Sequence, residues 1–113
     1  MTMKDLATIA QCKNIDELTF SEVNNELGGD INALGTMTWL KRLSLGGCNI
    51  TDIQALGTLT NLEYLNLYNN KISSFQLLKT CTSLTKLIVS FEEKEKAVGE
   101  LQQSLPSLEI ESW

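Results

Sequence analysis

The chain has 113 residues, which is enough for one domain and too few for two domains of ordinary size. Nine basic and fourteen acidic residues give a formal net charge of −5, without any basic run. This balance argues against a nucleic acid or an anionic membrane as the main partner, because both attract clustered Lys and Arg. The sequence also predicts no secretory signal and no membrane span, because no apolar stretch approaches about eighteen residues.

Six apolar positions recur in four copies along the chain. The copies occupy Leu6, Ile9, Cys12, Ile15, Leu18 and Phe20; Ile31, Leu34, Met37, Leu40, Leu43 and Leu45; Ile53, Leu56, Leu59, Leu62, Leu65 and Leu67; and Phe75, Leu78, Cys81, Leu84, Leu87 and Val89. The fourth position of each copy recurs after 25, 22 and 22 residues. A fixed period in the twenties is typical of a solenoid, in which similar coils stack along one axis.

Each copy combines two spacings that together predict one coil. Leu43 and Leu45 are two residues apart, so in a strand they point inward while Arg42 and Ser44 point outward. The apolar residues before them recur at steps of three, which suits a 3₁₀ turn or a short helix. One coil cannot bury its leucines alone, but stacked coils can, with their strands side by side in a parallel sheet.

The first coil is irregular. Residues 3–12 fit the return half of a coil and have no obvious cap. A strand at 15–21 would then be an edge of the sheet, protected by acidic residues such as Glu17. Further on, Gly28 and Gly29 permit positive φ and predict a loop that bulges from the bend. That loop is either a plain insertion or a contact with a partner.

After Val89 the period gives way to helical spacing and then to alternation. Pro106 should end the helix, and the final LEIESW should form a last strand. We expect residues 92–113 to form a helix and strand that cap the core, with Trp113 packed on that end or part of an interface. The apolar face of the helix is predicted to comprise Ala97, Val98, Leu101 and Leu105.

The segments LKRLSLGGCNITDIQALGTLTN and LEYLNLYNNKISSFQLLKTCTS resemble leucine-rich repeats of the 22-residue, internalin-like type. The resemblance implies a short right-handed α/β solenoid with a parallel sheet on its concave face. It implies 3₁₀ or short helical returns on the convex face and a C-terminal α-helix as cap. It also implies an Asn or Cys that bonds to backbone in the bend, where Asn70 and Cys48 stand. Residues 1–113 are thus expected to form one domain of about four repeats.

The outward side chains of stacked strands would form rows on the concave sheet, which is the usual contact surface of the family by resemblance. Tyr and Arg are enriched at interface hot spots, and Ile88 is an apolar residue on a face expected to be wet. The alternative is that Tyr and Ile stand there only because they favour strands. The predicted protein-binding residues are Arg42, Ser44, Tyr64, Asn66, Tyr68, Lys86 and Ile88.

The sequence contains few candidates for catalytic or metal-binding residues. It contains no histidine, which removes Ser-His and Cys-His nucleophilic systems and histidine metal sites. Cys12 and Cys81 hold an apolar repeat position and Cys48 holds a bend, so we expect structural, reduced thiols in a cytoplasmic protein. We therefore predict no catalytic residue, no cofactor and no metal.

Two functions are compatible with this pattern. The first is a non-enzymatic module that binds a partner protein by its concave sheet, as an adaptor, an inhibitor or an immunity-type protein. The second is self-assembly, as a dimer formed through the exposed edge strand or a solenoid end. The partner is therefore a protein, with no nucleic acid or membrane involved, and the chain itself is expected to be a monomer or a weak homodimer.

Overall fold

Five short strands form one parallel sheet in the order in which they occur along the chain. The computed structural model describes residues 16–19, 32–47 and 50–113. The predicted N-terminal return at 3–12, the loop at Gly28 and Gly29, and Cys12 and Cys48 lie outside these residues. The strands are β1 (Glu17–Thr19), β2 (Arg42–Ser44), β3 (Tyr64–Asn66), β4 (Lys86–Val89) and β5 (Glu109–Ser112).

The strand register follows the sequence period. One row of directly paired residues runs across all five strands, and every member of it is buried. Each fully buried side chain of this kind contributes on the order of 1.5–3 kcal/mol, so the period stabilises the stack as a whole. The predicted parallel sheet with its inward leucines is thus confirmed. The row consists of Leu18, Leu43, Leu65, Leu87 and Ile110.

Three 3₁₀ helices of five residues return the chain between strands, as the steps of three predicted. They span Asn32–Thr36, Gln54–Thr58 and Gln76–Thr80. Threonine hydroxyls tie the second return to the first and the third to the second. Thr58 Oγ1 donates to Gly35 O at 2.8 Å, and Thr80 Oγ1 donates to Gly57 O at 2.7 Å. These bonds repeat with the coil because the same residue type recurs at the same place in the return.

Asn70 joins two coils at their bends. Its Oδ1 accepts a hydrogen bond from Ile50 N–H at 3.0 Å, and its Nδ2 donates to Leu45 O at 2.8 Å and to Leu67 O at 3.1 Å. The side chain is buried, so these backbone groups could not otherwise reach water. The role that the resemblance implied for Asn70 is confirmed.

A 3₁₀ turn at Phe91–Glu93 leads into one α-helix, α1 (Lys94–Leu101). Ala97 and Leu101 are buried as predicted, whereas Val98 is 37% exposed, so its assignment to the core face was wrong. The structural reason is that the short helix rests on the core along a narrow stripe. Among the described residues, no helix has the length and apolar character needed to span a bilayer.

The helix ends at Leu101, five residues before Pro106, so proline does not end it. A turn follows instead, and the Gln102 side chain holds it: Nε2 donates to Leu105 O at 3.2 Å and to Leu108 O at 3.0 Å. Leu105 and Leu108 are both buried by this turn. The chain thereby reverses early enough for β5 to pair with β4.

Polar side chains of the helical segment bind the backbone of the preceding coil. Glu93 Oε2 accepts from Ile72 N–H at 3.1 Å, and Lys96 Nζ donates to Ile72 O at 2.9 Å. Glu100 accepts from Phe75 N–H at 3.1 Å and from the Ser74 hydroxyl at 2.9 Å. We call these three charged residues the helix clamp. The clamp satisfies backbone groups that another coil would otherwise pair.

Candidate protein-binding face

The outward residues of the five strands form an ordered surface, which we call the outward sheet face. Two rows are fixed by strand pairing, and a third continues the alternation just beyond the strands. The first row is Glu17, Arg42, Tyr64, Lys86 and Glu109; the second is Thr19, Ser44, Asn66, Ile88 and Glu111; the third includes Gly46, Tyr68, Ser90 and Trp113. The rows predicted from the repeat are therefore confirmed as geometry.

Two contacts hold side chains of the first row in place, one within that row and one with the second row. The Arg42 guanidinium lies 5.8 Å from the centroid of the Tyr64 ring, within the range of a cation–π contact. Lys86 Nζ lies 3.4 Å from a carboxylate oxygen of Glu111, with about a third of each side chain exposed. These contacts restrict the rotamers of residues that a partner would meet, which lowers the entropic cost of binding.

The expectation that Ile88 is an apolar side chain on a wet face was wrong. It is 1% exposed, and Asn66 beside it is 8% exposed. Asn66 is occupied by its own chain, because its Oδ1 accepts from Tyr68 N–H at 2.8 Å. The register places Ile88 between Asn66 and Glu111 on the neighbouring strands. Neither residue offers a side chain that a partner could reach without rearrangement.

An aromatic pair lies beyond the second row. The rings of Tyr68 and Trp113 are 5.8 Å apart between centroids and inclined by 57°, a tilted arrangement that aromatic pairs favour. Tyr68 is 36% exposed and Trp113 59% exposed. Their strands are separated by β4, so the rings converge above Ser90. Trp113 thus packs against Tyr68 with an accessible ring, and its place in an interface stays a prediction.

The outward sheet face contains functional candidates that were absent from the sequence prediction. Glu109 and Glu111 belong to it because β5 continues the register of the other strands. The alternating pattern of LEIESW would have predicted both residues if the outward rows had been extended to a fifth strand. Phe91, 77% exposed directly after Ser90, has no such signal, because it lies outside the repeat frame.

Of the seven predicted binding residues, five have side chains that are exposed or half-buried. Tyr68 and Arg42 are exposed, and the remaining three are half-buried. The structure brings all five together on one surface, although their role in binding stays a prediction. They are Arg42, Ser44, Tyr64, Tyr68 and Lys86.

Cys81 is a core residue, as its repeat position predicted. It is buried, and its Sγ lies 3.4 Å from Leu56 O, to which the thiol donates. Burial raises the pKa of the Cys81 thiol to about 11, and a hydrogen bond with Thr80 offsets part of that rise. The thiol therefore stays protonated at neutral pH and is a poor nucleophile. Within the described part of the chain, no group of three or more acidic, His or Cys side chains could hold a metal ion.

Comparisons with known proteins agree with this geometry. Residues 38–80 match the family model described as leucine rich repeats in two copies. An internalin (inlF) from Listeria monocytogenes superposes with a TM-score of 0.63 at 20% identity, over 95% of this chain and 37% of that chain. An internalin C2 (inlC2) from the same organism gives a TM-score of 0.48 at 24% identity, over 85% of this chain and 50% of that chain.

A comparison with curated proteins gives no match. The chain spans little more than a third of the internalin (inlF) chain on which it superposes. At 20% identity, that superposition shows a shared fold.

Proposed function

We propose that this leucine-rich-repeat protein is a non-enzymatic module that binds a partner protein through its outward sheet face. The observation that carries the proposal is the concentration of accessible aromatic side chains on one ordered surface. Tyr64, Tyr68 and Trp113 all lie on the outward sheet face. Tyr68 and Trp113 contact each other, and the Tyr64 ring contacts Arg42. Tyr and Trp are the residue types that most often dominate interface energies.

The other surfaces of the molecule favour this assignment. The inward sheet face is fully used by the core. Of the exposed large apolar residues among those described, only Leu77 lies on a 3₁₀ return. Tyr68 and Trp113 lie on the outward sheet face, Phe91 lies on the 3₁₀ turn after Ser90, and Val98 lies on α1. A partner that covers Tyr64, Tyr68 and Trp113 would bury three aromatic side chains on one surface.

Self-assembly is the weaker candidate. Stacking two copies end to end in the register of the sheet would place Glu109 of one copy beside Glu17 of the next, because both belong to the first row. Like charges directly opposite each other destabilise a sheet. We therefore expect a monomer. An adaptor, inhibitor or immunity-type role, and a cytoplasmic location, remain predictions that need the partner's identity.

Affinity capture with the double variant Tyr64→Ala, Tyr68→Ala tests the proposal. We expect a partner captured by the unmodified chain to bind the variant at least about a hundredfold more weakly, because two hot-spot aromatics are lost. The melting temperature should fall by only a few degrees, since neither ring belongs to the core cluster. Leu77→Ala, on a 3₁₀ return, is the matched control and should keep full affinity. Undiminished binding by the double variant would contradict the proposal.

A further inference from the structure

The outer edge of β5 carries backbone groups that pair with no described strand. Glu109 N–H donates to Thr85 O at 2.9 Å, and Trp113 N–H donates to Val89 O at 3.1 Å. Residues 109, 111 and 113 thus turn their N–H groups toward β4. Since successive backbone groups of a strand point to opposite sides, those of Ile110 and Ser112 point away from the sheet. β5 is the last strand in the sheet formed by the described residues, so none of their strands covers this edge.

Every outward side chain along this edge attracts cations. Glu109 is exposed and forms no ion pair with a described residue. Glu111 is 37% exposed at its side chain and shares its charge only with Lys86 at 3.4 Å. Trp113 continues the alternation with a ring that is 59% exposed, and indole is the aromatic group that binds cations best.

We propose that the β5 edge binds an extended segment of a partner protein that carries Lys or Arg at every second position. The segment adds a sixth strand, and its backbone pairs with the outward N–H and C=O groups of Ile110 and Ser112. Directly opposite residues of paired strands share a face, so its basic side chains lie beside Glu109, Glu111 and Trp113. The residues that alternate with the basic ones face the core side of the sheet. They continue the buried row that ends at Ile110.

A second copy of the chain does not fit this edge. In antiparallel pairing of two β5 strands, Glu111 lies opposite Glu111 when Ile110 pairs with Ser112, and Glu109 lies opposite Glu111 when Ile110 pairs with Ile110. Either register puts two carboxylates directly opposite each other, which destabilises the pairing. The acidic residues therefore disfavour self-pairing and select a basic segment. The inference shares Glu109, Glu111 and Trp113 with the outward sheet face, whereas the edge backbone of Ile110 and Ser112 belongs to the inference alone. Loss of peptide binding on Ser112→Pro therefore tests the edge, and loss of partner binding on Tyr64→Ala, Tyr68→Ala tests the proposed function.

Two labelled peptides of equal charge separate strand pairing from nonspecific attraction. The probe is a seven-residue peptide of alternating Lys and Val with fluorescein at its N-terminus. The control peptide has the same composition with its four Lys residues contiguous. In fluorescence anisotropy with the whole chain, we expect the alternating peptide to bind at least fivefold more tightly at about 0.15 M salt, because only it can align charges with Glu109 and Glu111. Equal affinities for the two peptides would overturn the proposal.

The variant Ser112→Pro tests the backbone pairing directly. It removes an N–H that points to the open edge and leaves the bonds between β5 and β4 in place, since edge strands tolerate proline at such positions. We expect about three- to tenfold weaker binding of the alternating peptide, the range for one lost hydrogen bond. Glu109→Gln should weaken binding about two- to fivefold, whereas Glu17→Gln, in the same row but on β1 at the opposite end of the sheet, should not.

Amide hydrogen exchange of the unmodified chain supplies a measurement that needs no variant. Saturation with the alternating peptide should slow the exchange of the Ile110 and Ser112 amides more than that of any other residue in β5. Unchanged exchange at both amides, at a concentration where anisotropy shows saturation, would overturn the proposal. So would a well-folded Ser112→Pro variant with undiminished affinity.

Discussion

The bend at Asn70 and the end of the stack at α1 satisfy the same kind of backbone groups in different ways. At the bend, one buried neutral amide serves Ile50 and Leu45 of the neighbouring coil. At the end, the charged helix clamp serves the segment 72–75. A repeated coil can use an amide because the next coil repeats the geometry. At the end, α1 stands in place of a repeated coil. Longer charged side chains of the helical segment therefore bind the backbone of the preceding coil.

This difference has a consequence for the response to pH and salt. An amide does not titrate, and its bonds are buried, so the bend should be insensitive to both. The clamp residues are charged and partly exposed, so their interactions weaken with screening by salt. The clamp should therefore respond to salt, and to pH through Glu93, whereas the bend should respond to neither. Substitutions at both places compare their contributions.

Asn70→Ala should produce the largest effect. The change leaves Ile50 N–H and Leu45 O buried without a side-chain partner, so we expect the free energy of unfolding to fall by about 3 kcal/mol. Urea denaturation followed by circular dichroism measures it. Asn61→Ala is the matched control, because Asn61 is exposed and donates one bond, to Thr38 O at 2.9 Å. Equal losses for the two variants would contradict the role assigned to burial.

Glu100→Ala should have an intermediate effect. It removes the acceptors for Phe75 N–H and the Ser74 hydroxyl, and because Glu100 is only half-buried we expect a loss of about 1 kcal/mol. Glu100→Gln keeps a carbonyl oxygen for Phe75 and should lose less than half as much. If the glutamine variant is as unstable as the alanine variant, the charge of Glu100 matters more than its hydrogen bonds.

Glu93→Gln should have the smallest effect and should depend on pH. Burial raises the pKa of Glu93 above its usual 4.5, although the hydrogen bond from Ile72 N–H offsets part of the rise. A carboxyl with a raised folded-state pKa binds its proton more tightly when folded, so its ionisation destabilises the protein. The variant should therefore melt slightly higher than the unmodified chain at pH 7. The difference should vanish below pH 4.5, and calorimetry across this range would contradict it if the difference grew on acidification.

The repeat pattern predicted most of the fold because the spacing of its apolar residues indicates which side chains point toward a shared core. Steps of two and three determine which side chains point inward, and a constant period aligns those side chains across coils. The strand rows, the 3₁₀ returns, the bend position of Asn70 and the burial of Cys81 all follow from that alignment. The leucine-rich repeats predicted on these residues are confirmed by the family match at 38–80 and by the shared internalin fold.

The amino-acid sequence alone determined which residues face outward, but it did not determine which of them remain accessible. Accessibility depends on how side chains from neighbouring coils lean over one another, and a one-dimensional period carries no information on that. Tertiary structure therefore decided that Ile88 and Asn66 are buried, and that the rings of Tyr68 and Trp113 meet. The contacts of the helix clamp were also decided by tertiary structure, because α1 lies outside the repeat. No repeat spacing predicts that its side chains bind a coil more than twenty residues earlier.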